Sequence, residues 1–377
     1  MRAGQPSCNR HSPARRSKLR LYYNSLVKSW DAIIVGGGII GLSLAISLRR
    51  RGLKVLVVER SQPGREASSA AAGMLAGSGA EIPAKLKGIA EQSARMYPEF
   101  VHELEDESGL KVDLRDQGTI LISTDGTFPL SAEKLSRDKL QTLEPAIASE
   151  FTSLPAAYLA ERSVDPRALV SATIKAAKHR SVDVSSGAEV TSIQVEKNCV
   201  TGVTTGHTTY PAPIVVNCAG AWAGCIGTQR FPVKPIKGQM LALVNAPAIK
   251  HVVRTEQVYL VPRSDGRLVV GSTLEDAGFK KQTDVETIQR LFDAAVQIVG
   301  ALSAAKRHED WAGLRPGTPD ELPILGETDI QGYFVATGHY RDGILLAPVT
   351  AQIMTRLILH EPVPHDLLPF SPARFNS

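Results

Sequence analysis

DAIIVGGGIIGLSLAISLRRRGLKVLVVER, residues 31–60, is the stretch whose reading decides the fold. Ala32 to Val35 is a short apolar, β-branched run, the pattern of a strand buried on both faces. Gly36, Gly38 and Gly41 follow in GxGxxG spacing. The first permits a tight turn, the second lets backbone approach a pyrophosphate, and the third lets helix and strand pack closely. Leu42, Ala45 and Ile46 then recur at helical spacing, and Arg49, Arg50 and Arg51 before Gly52 supply last-turn cations and a stop signal. A second buried run, Val55 to Val58, delivers Glu59. Its carboxylate suits two ribose hydroxyls and repels a 2′-phosphate, which argues against NADP. A GxGxxG alone is weak. Strand, glycine turn, helix, strand and terminal acid in one unit specify a dinucleotide-binding α/β module.

The chain has 377 residues, enough for two interlocked domains, and its 43% hydrophobic content is that of an ordinary globular protein. No stretch approaches the length of a membrane span. Cys8, Cys199, Cys218 and Cys225 form no CxxC pair and no zinc-like cluster, so they read as reduced intracellular thiols, with Cys218 and Cys225 as small core residues. The basic balance is concentrated at one end. Residues 1–30 carry seven Lys or Arg and no acid, against a formal +5 for the whole chain, which leaves −2 for residues 31–377. A near-neutral body gives no reason to expect a nucleic-acid partner. The extension reads as a disordered tail, an organelle transit peptide, or upstream codons added by a wrong start.

REASSAAAGMLAG, residues 65–77, has no bulky side chain before Met74. Such a run can lie flat against a large planar cofactor, with backbone amides and the Ser68 or Ser69 hydroxyl meeting phosphates. An Ala/Ser-rich helix start is the plainer alternative. Asp165 and Pro166 signal the start of a helix over 163–180. Strand-like runs follow at 182–185, 188–195, 200–204 and 214–216. Runs at 236–244, 256–262 and 267–273, the last two joined by Ser264-Asp265-Gly266, predict an antiparallel sheet in a second domain. Segments near 85–107 and 284–304 are expected to be helices covering that sheet. Late in the chain, WAGLRPGTPDELPILGE (311–327) sets Arg315 among Gly and Pro, which predicts a stiff loop. A guanidinium held that way is a bidentate receptor for a carboxylate.

Taken together, GGGIIG, SSAAAGML, NCAGAWA, VYLVPRSDGRLVVGST, WAGLRPGTPD and GHYRDGILLAP resemble the D-amino-acid oxidase superfamily of FAD-dependent oxidoreductases, and within it the glycine oxidases of the thiamine pathway. The resemblance runs from about Asp31 to about Ile358. It implies a Rossmann-type FAD-binding domain (31–75, 163–228 and 308–360) and a substrate domain on a large, mostly antiparallel sheet (76–162 and 229–307), with 361–377 as a tail. It implies non-covalent FAD held by Gly36, Gly38, Ile39, Ile40, Gly41, Glu59, Arg60, Ser68, Ser69, Ala72, Gly73, Met74 and Val190. The 338–345 loop, Gly338, His339, Tyr340, Arg341, Asp342, Gly343, Ile344 and Leu345, would wrap the flavin, with a helix beginning after Gly343. A carboxylate at Asp342 sits uneasily beside a reduced flavin.

The substrate would meet Arg315, Tyr259 and Arg341, with Ala76 and Leu274 shaping the space for its side chain. The activity implied is oxidation of glycine, sarcosine or D-alanine by oxygen, giving an imine or oxo acid and hydrogen peroxide. No acid/base residue is demanded, because the lone pair of a neutral amine can drive hydride to flavin N5. The glycine imine would feed thiazole synthesis. A cytoplasmic homotetramer without membrane or nucleic-acid partners completes the expectation. The alternatives are a dehydrogenase passing electrons to a quinone and a non-catalytic flavin-binding subunit.

Overall fold

The computed structural model describes residues 29–77, 82–227 and 230–375. The extension expected over 1–30 therefore lies outside the described residues up to residue 28. Trp30 is described, and its indole N–H donates to the Asp183 carboxylate at 2.7 Å.

A six-stranded sheet carries the dinucleotide module. Its order is Ile324–Glu327, Tyr333–Thr337, Ile214–Asn217, Ala32–Val35, Val55–Glu59, Asp183–Ser186. All pairings are parallel except the first, which is antiparallel. Strand alternation divides the burial. Ala32, Ile34, Val55 and Val57 pack toward the helices Ile39–Arg50, Pro166–His179 and Ala347–Ile358. Ile33, Val35, Leu56 and Val58 pack on the opposite face against Val190, Val200 and Val203 of a small three-stranded sheet. Covering both faces explains why these strands read as unbroken apolar runs. The helix Pro166–His179 begins where the sequence signals it, with the Asp165 carboxylate accepting from the Arg167 and Ala168 backbone N–H groups.

The second layer is an eight-stranded, mostly antiparallel sheet. It runs Lys306–Gly317, Lys234–Val244, Leu268–Gly271, Tyr259–Pro262, Val252–Arg254, Thr119–Ile122, Ala156–Leu159, Glu133–Leu135. Only Val252–Arg254 with Thr119–Ile122 is parallel. Leu241, Leu243, Leu260 and Val270 face the amphipathic helix Val285–Ile298. Met240, Tyr259, Val261 and Val269 face the opposite way, toward Ala72 and Met74. The hairpin at Ser264-Asp265-Gly266 forms as read, with Gly266 at φ +86° and the Arg263 N–H donating to the Arg267 carbonyl.

Four expectations need correction. Arg315 is not on a loop: it lies in the strand Lys306–Gly317, paired with Lys234–Val244 along eleven residues. That strand is the sheet edge, where Pro316 withholds no needed ladder donor. For the same reason the boundary drawn at 308 cuts through a strand, and 308–317 belong to the second sheet. The helix Lys87–Ser108 covers the first layer rather than the second. Its Ile89, Ala90, Tyr97, Val101 and Leu104 join the core around Ile39–Arg50 and Ala347–Ile358. Finally, Cys218 is buried but Cys225 is exposed. The expected tail, 361–377, contributes Phe370 to the first core, and Arg374 pairs with Asp320 at 2.9 Å.

Candidate active site

The two layers enclose one continuous cavity of about 820 Å³. It reaches from Glu59, Arg60 and Val190 at one end to Tyr259, Leu274 and Arg315 at the other. The glycine turn forms its floor. A Cβ at Gly36, which has φ +107°, would stand 2.5 Å from the Cys218 carbonyl, and one at Gly41 would stand 2.1 Å from the Gly36 carbonyl. Gly36, Gly38, Ile39 and Ile40 line the cavity, so the start of the Ile39–Arg50 helix faces it, and first-turn N–H groups have no partner inside a helix. Ser68 Oγ stands over that turn and accepts from Ile39 N–H at 3.0 Å. Glu59 is buried on the wall, its two oxygens accepting from Gly37 N–H (2.8 Å) and Ser61 N–H (2.9 Å). Oε1 also accepts from the Ser61 hydroxyl at 3.2 Å, so it is Oε2 that keeps a further lone pair for a ligand hydroxyl. These features fit an elongated dinucleotide with a diphosphate at the helix N-terminus.

At the far end, alternation along two paired strands puts Trp311, Gly313 and Arg315 on one face beside Met240, Gly238 and Ile236, and Gly313, Arg315, Met240 and Gly238 line the cavity. Arg315 Nη2 donates to Ser272 Oγ at 2.6 Å and Nη1 to the Thr273 carbonyl at 3.1 Å. The guanidinium lies across Gly238, where a Cβ would stand 2.2 Å from Nη1. Tyr259 projects from the strand Tyr259–Pro262, across Leu268–Gly271 from Lys234–Val244. Its hydroxyl is 3.1 Å from Met240 Sδ and passes over Gly271, where a Cβ would be 2.7 Å away. Burial pushes the Tyr259 phenol up, with Arg315 opposing, so it remains a donor at neutral pH.

The 338–345 loop reaches the same end. Tyr340 N–H donates to the Pro316 carbonyl at 3.0 Å, tying this loop to the Arg315 strand. Arg341 is exposed and lies over the Tyr340 ring, 4.8 Å from its centroid. His339 is buried with Nε2 3.0 Å from Thr350 Oγ1, and burial pushes its pKa down to about 3, so it is neutral. The helix expected after Gly343 begins at Ala347, since residues 343–346 form turns.

Most of the residues named from the sequence line this cavity, including Ala72, Gly73, Met74, Ala76, Asp342 and Ile344. Gly41, Ser69, Gly338 and Leu345 do not. Gly41 serves helix–turn packing, Ser69 donates to the Gly64 carbonyl, and Gly338 (φ +74°) fits under Thr318. Leu345 lies in the core. The sequence reading missed Gly238 and Met240, whose only trace is their alternation along a strand, and Gly313, which lies inside WAGLRPGTPD with no role assigned there. It also missed Trp222 and Arg254, both on the wall. No cluster able to hold a metal occurs among the described residues.

A family model described as FAD dependent oxidoreductase matches residues 31–357. The chain belongs to that family. It is accordingly an FAD-dependent amine oxidase. Within 65–77 the plainer alternative holds for Ala67–Ala70, which form a short helix, and Ala71 to Met74 continue along the cavity wall. The chain is 31% identical to the hydrogen cyanide synthase subunit HcnC of Pseudomonas aeruginosa, over 92% of its own length and 97% of that protein. It is 35% identical to the bifunctional protein ThiO/ThiG of Synechocystis, covering 92% of this chain and 54% of that one. The crystal structure of glycine oxidase from Geobacillus kaustophilus superposes with a TM-score of 0.86 at 30% identity, covering 92% of this chain and 99% of that one. No helix among the described residues is long and apolar enough to cross a membrane.

Proposed function

We propose that the chain oxidises glycine and similarly small amino acids such as sarcosine and D-alanine, with oxygen as acceptor and hydrogen peroxide as product. The observation that carries this is Arg315: a guanidinium lining the cofactor cavity, fixed by Ser272 and Thr273 and lying beside Tyr259. It would take the substrate carboxylate as a two-bond fork, with the Tyr259 hydroxyl donating to the same group and Arg341 adding positive charge from the loop. Bound FAD supplies a hydride acceptor at flavin N5. Holding the carboxylate fixes the α-carbon relative to the cofactor bed, which is the main service the protein renders. Ala76 leaves room for a small side chain, and Leu274, exposed at the rim, leaves that space open to solvent. The cofactor would rest on Gly36 to Ile40, with Glu59 at the ribose and Val190 at the adenine.

The likeness to glycine oxidases supports this substrate class, and glycine imine would then serve thiazole synthesis for thiamine. We take the active form to be a cytoplasmic homo-oligomer. The test is anaerobic flavin bleaching with glycine, sarcosine, D-alanine, D-proline and L-amino acids. Small glycine-like and D-substrates should bleach it, and amines lacking a carboxylate should not. Equal bleaching by carboxylate-free amines would remove Arg315 from the reading.

The likeness to a hydrogen cyanide synthase subunit supports a second reading, in which the chain works within a larger assembly; a dehydrogenase passing electrons to a quinone is the matching alternative. Dye reduction without peroxide formation in air would select it. A flavin that no amine bleaches would point instead to a non-catalytic subunit.

A further inference from the structure

Residues 272–284 leave the second sheet after Gly271 and return to it through the helix Val285–Ile298. Both ends of this excursion are pinned to the sheet. Glu275 exchanges backbone hydrogen bonds with Lys237, each at 2.9 Å. At the other end Asp284 N–H donates to Gln239 Oε1 at 2.6 Å, and Thr283 Oγ1 donates to Asp310 at 2.5 Å. Between the pins the chain turns at Gly278 (φ +56°) and crosses to the first layer.

It makes two contacts there. The Phe279 ring stacks on Trp222, with centroids 5.2 Å apart and planes at 29°. Lys281 Nζ pairs with Glu66 Oε2 at 2.8 Å. These contacts close into a ring. The other Glu66 oxygen accepts from Arg60 at 2.9 Å, and the Arg60 guanidinium lies 3.5 Å from the centroid of the Trp222 ring. Trp222 is thus sandwiched between Arg60 and Phe279. Arg60, Glu66 and Trp222 all line the cavity, at the end that holds Glu59 and Val190. A phenylalanine at a loop tip, 46% exposed, has no place in either core, and the stack on Trp222 is what holds it.

We propose that residues 276–282 form a retaining strap, closed over the adenosine end of the FAD bed, whose opening sets the rate at which the cofactor leaves. The clasp consists of one aromatic stack and one partly exposed ion pair, each individually weak. It can therefore open without breaking the strand ladders that flank it, as a local event separate from unfolding. The assignment of this end to adenosine rests on the reading of Glu59 and Val190 given above.

The test uses the holoenzyme and follows free-flavin fluorescence after dilution into FAD-free buffer. Phe279→Ala should speed FAD loss about tenfold, equivalent to about 1.4 kcal/mol, and Phe279→Tyr should restore the parent rate because the ring is kept. Lys281→Ala should speed loss about threefold. Added salt should speed the parent toward that rate while leaving the Lys281→Ala protein unchanged. Release at the parent rate in both alanine variants overturns the strap. So does a Phe279→Tyr protein as fast as Phe279→Ala, or a fall in thermal midpoint under excess FAD that tracks the release rate. If adenosine lies at the other end, adenosine diphosphate will not compete with FAD more weakly in Phe279→Ala than in the parent, which separates failure of that reading from failure of the strap.

Discussion

Replacing Arg315 by alanine removes the fork from the Tyr259 end of the cavity while leaving the rest of its lining in place. Arg315 is half-buried on an edge strand, and its two described hydrogen bonds go to Ser272 and Thr273. The fold therefore does not depend on it. A substrate carboxylate bound there is withdrawn from water, and removing one partner of such a pair costs about 3–5 kcal/mol. At about 1.4 kcal/mol per decade, kcat/KM for glycine should fall by about two to three and a half decades. Arg315→Lys should fall between, because an ammonium keeps the charge but cannot offer two parallel N–H bonds. A second variant reaches the same group through geometry. In Gly238→Ala the new Cβ would stand 2.2 Å from Nη1, so the guanidinium must move, and activity should drop at least about tenfold with Arg315 still present. Initial rates of peroxide release, alongside dye reduction, measure all three. Near-normal glycine kinetics in Arg315→Ala would end the assignment. Unchanged kinetics in Gly238→Ala would mean that the position of the guanidinium does not matter.

Tyr259→Phe should raise KM for glycine about tenfold through loss of one donor to a charged group, with a smaller effect on kcat; steady-state kinetics decide it. Gly36→Ala should yield protein without bound flavin, since both the φ of +107° and the 2.5 Å approach to the Cys218 carbonyl exclude a Cβ; the absorbance of the purified protein reports this. His339 gives a stability prediction with a definite sign. Its folded pKa, about 3, lies below the unfolded value near 6.5, so its contribution is complete above pH 6.5 and is lost as pH falls toward 3. Between pH 6.5 and pH 5 the parent should lose about 1.5 kcal/mol more than His339→Gln in urea unfolding. Parallel pH profiles for the two would show that His339 is not buried in the neutral form.

The parts of this molecule that local chemistry specifies were legible in the sequence. The 31–60 module, the Asp165 cap and the Ser264-Gly266 hairpin depend on residues near one another in the chain, and each forms where its signal lies. What failed was non-local. Gly and Pro around Arg315 suggest a loop until the partner strand 234–244 is supplied, and only then does the edge position make Pro316 acceptable. The amphipathic pattern of 87–108 says that one face is buried but not against which layer. Gly238 carries no motif and Gly313 is read past inside WAGLRPGTPD, because their function is to lack a side chain opposite a group some seventy residues away in sequence or more.

The same absence of side chains helps the active site keep its dimensions. The glycine turn belongs to the first layer and Arg315 to the second, so the distance between the proposed flavin bed and the proposed carboxylate receptor is set by contacts between layers. Three such contacts converge on one short segment. The Trp311 indole N–H donates to the Ala70 carbonyl at 3.1 Å, and Gly313 leaves space for the Ala70 methyl, which a Cβ there would meet at 2.5 Å. Arg263 reaches from the second sheet to the carbonyls of Ala72 and Val164, with its Val164 bond at 3.1 Å. The Ala70–Ala72 backbone is thus held from the same sheet that presents Arg315 and Tyr259. Its small side chains matter as much for letting that sheet approach as for lying flat against a ring. An Ala70→Val substitution should therefore disturb substrate binding and flavin environment together, since no larger side chain fits between the bed and Gly313.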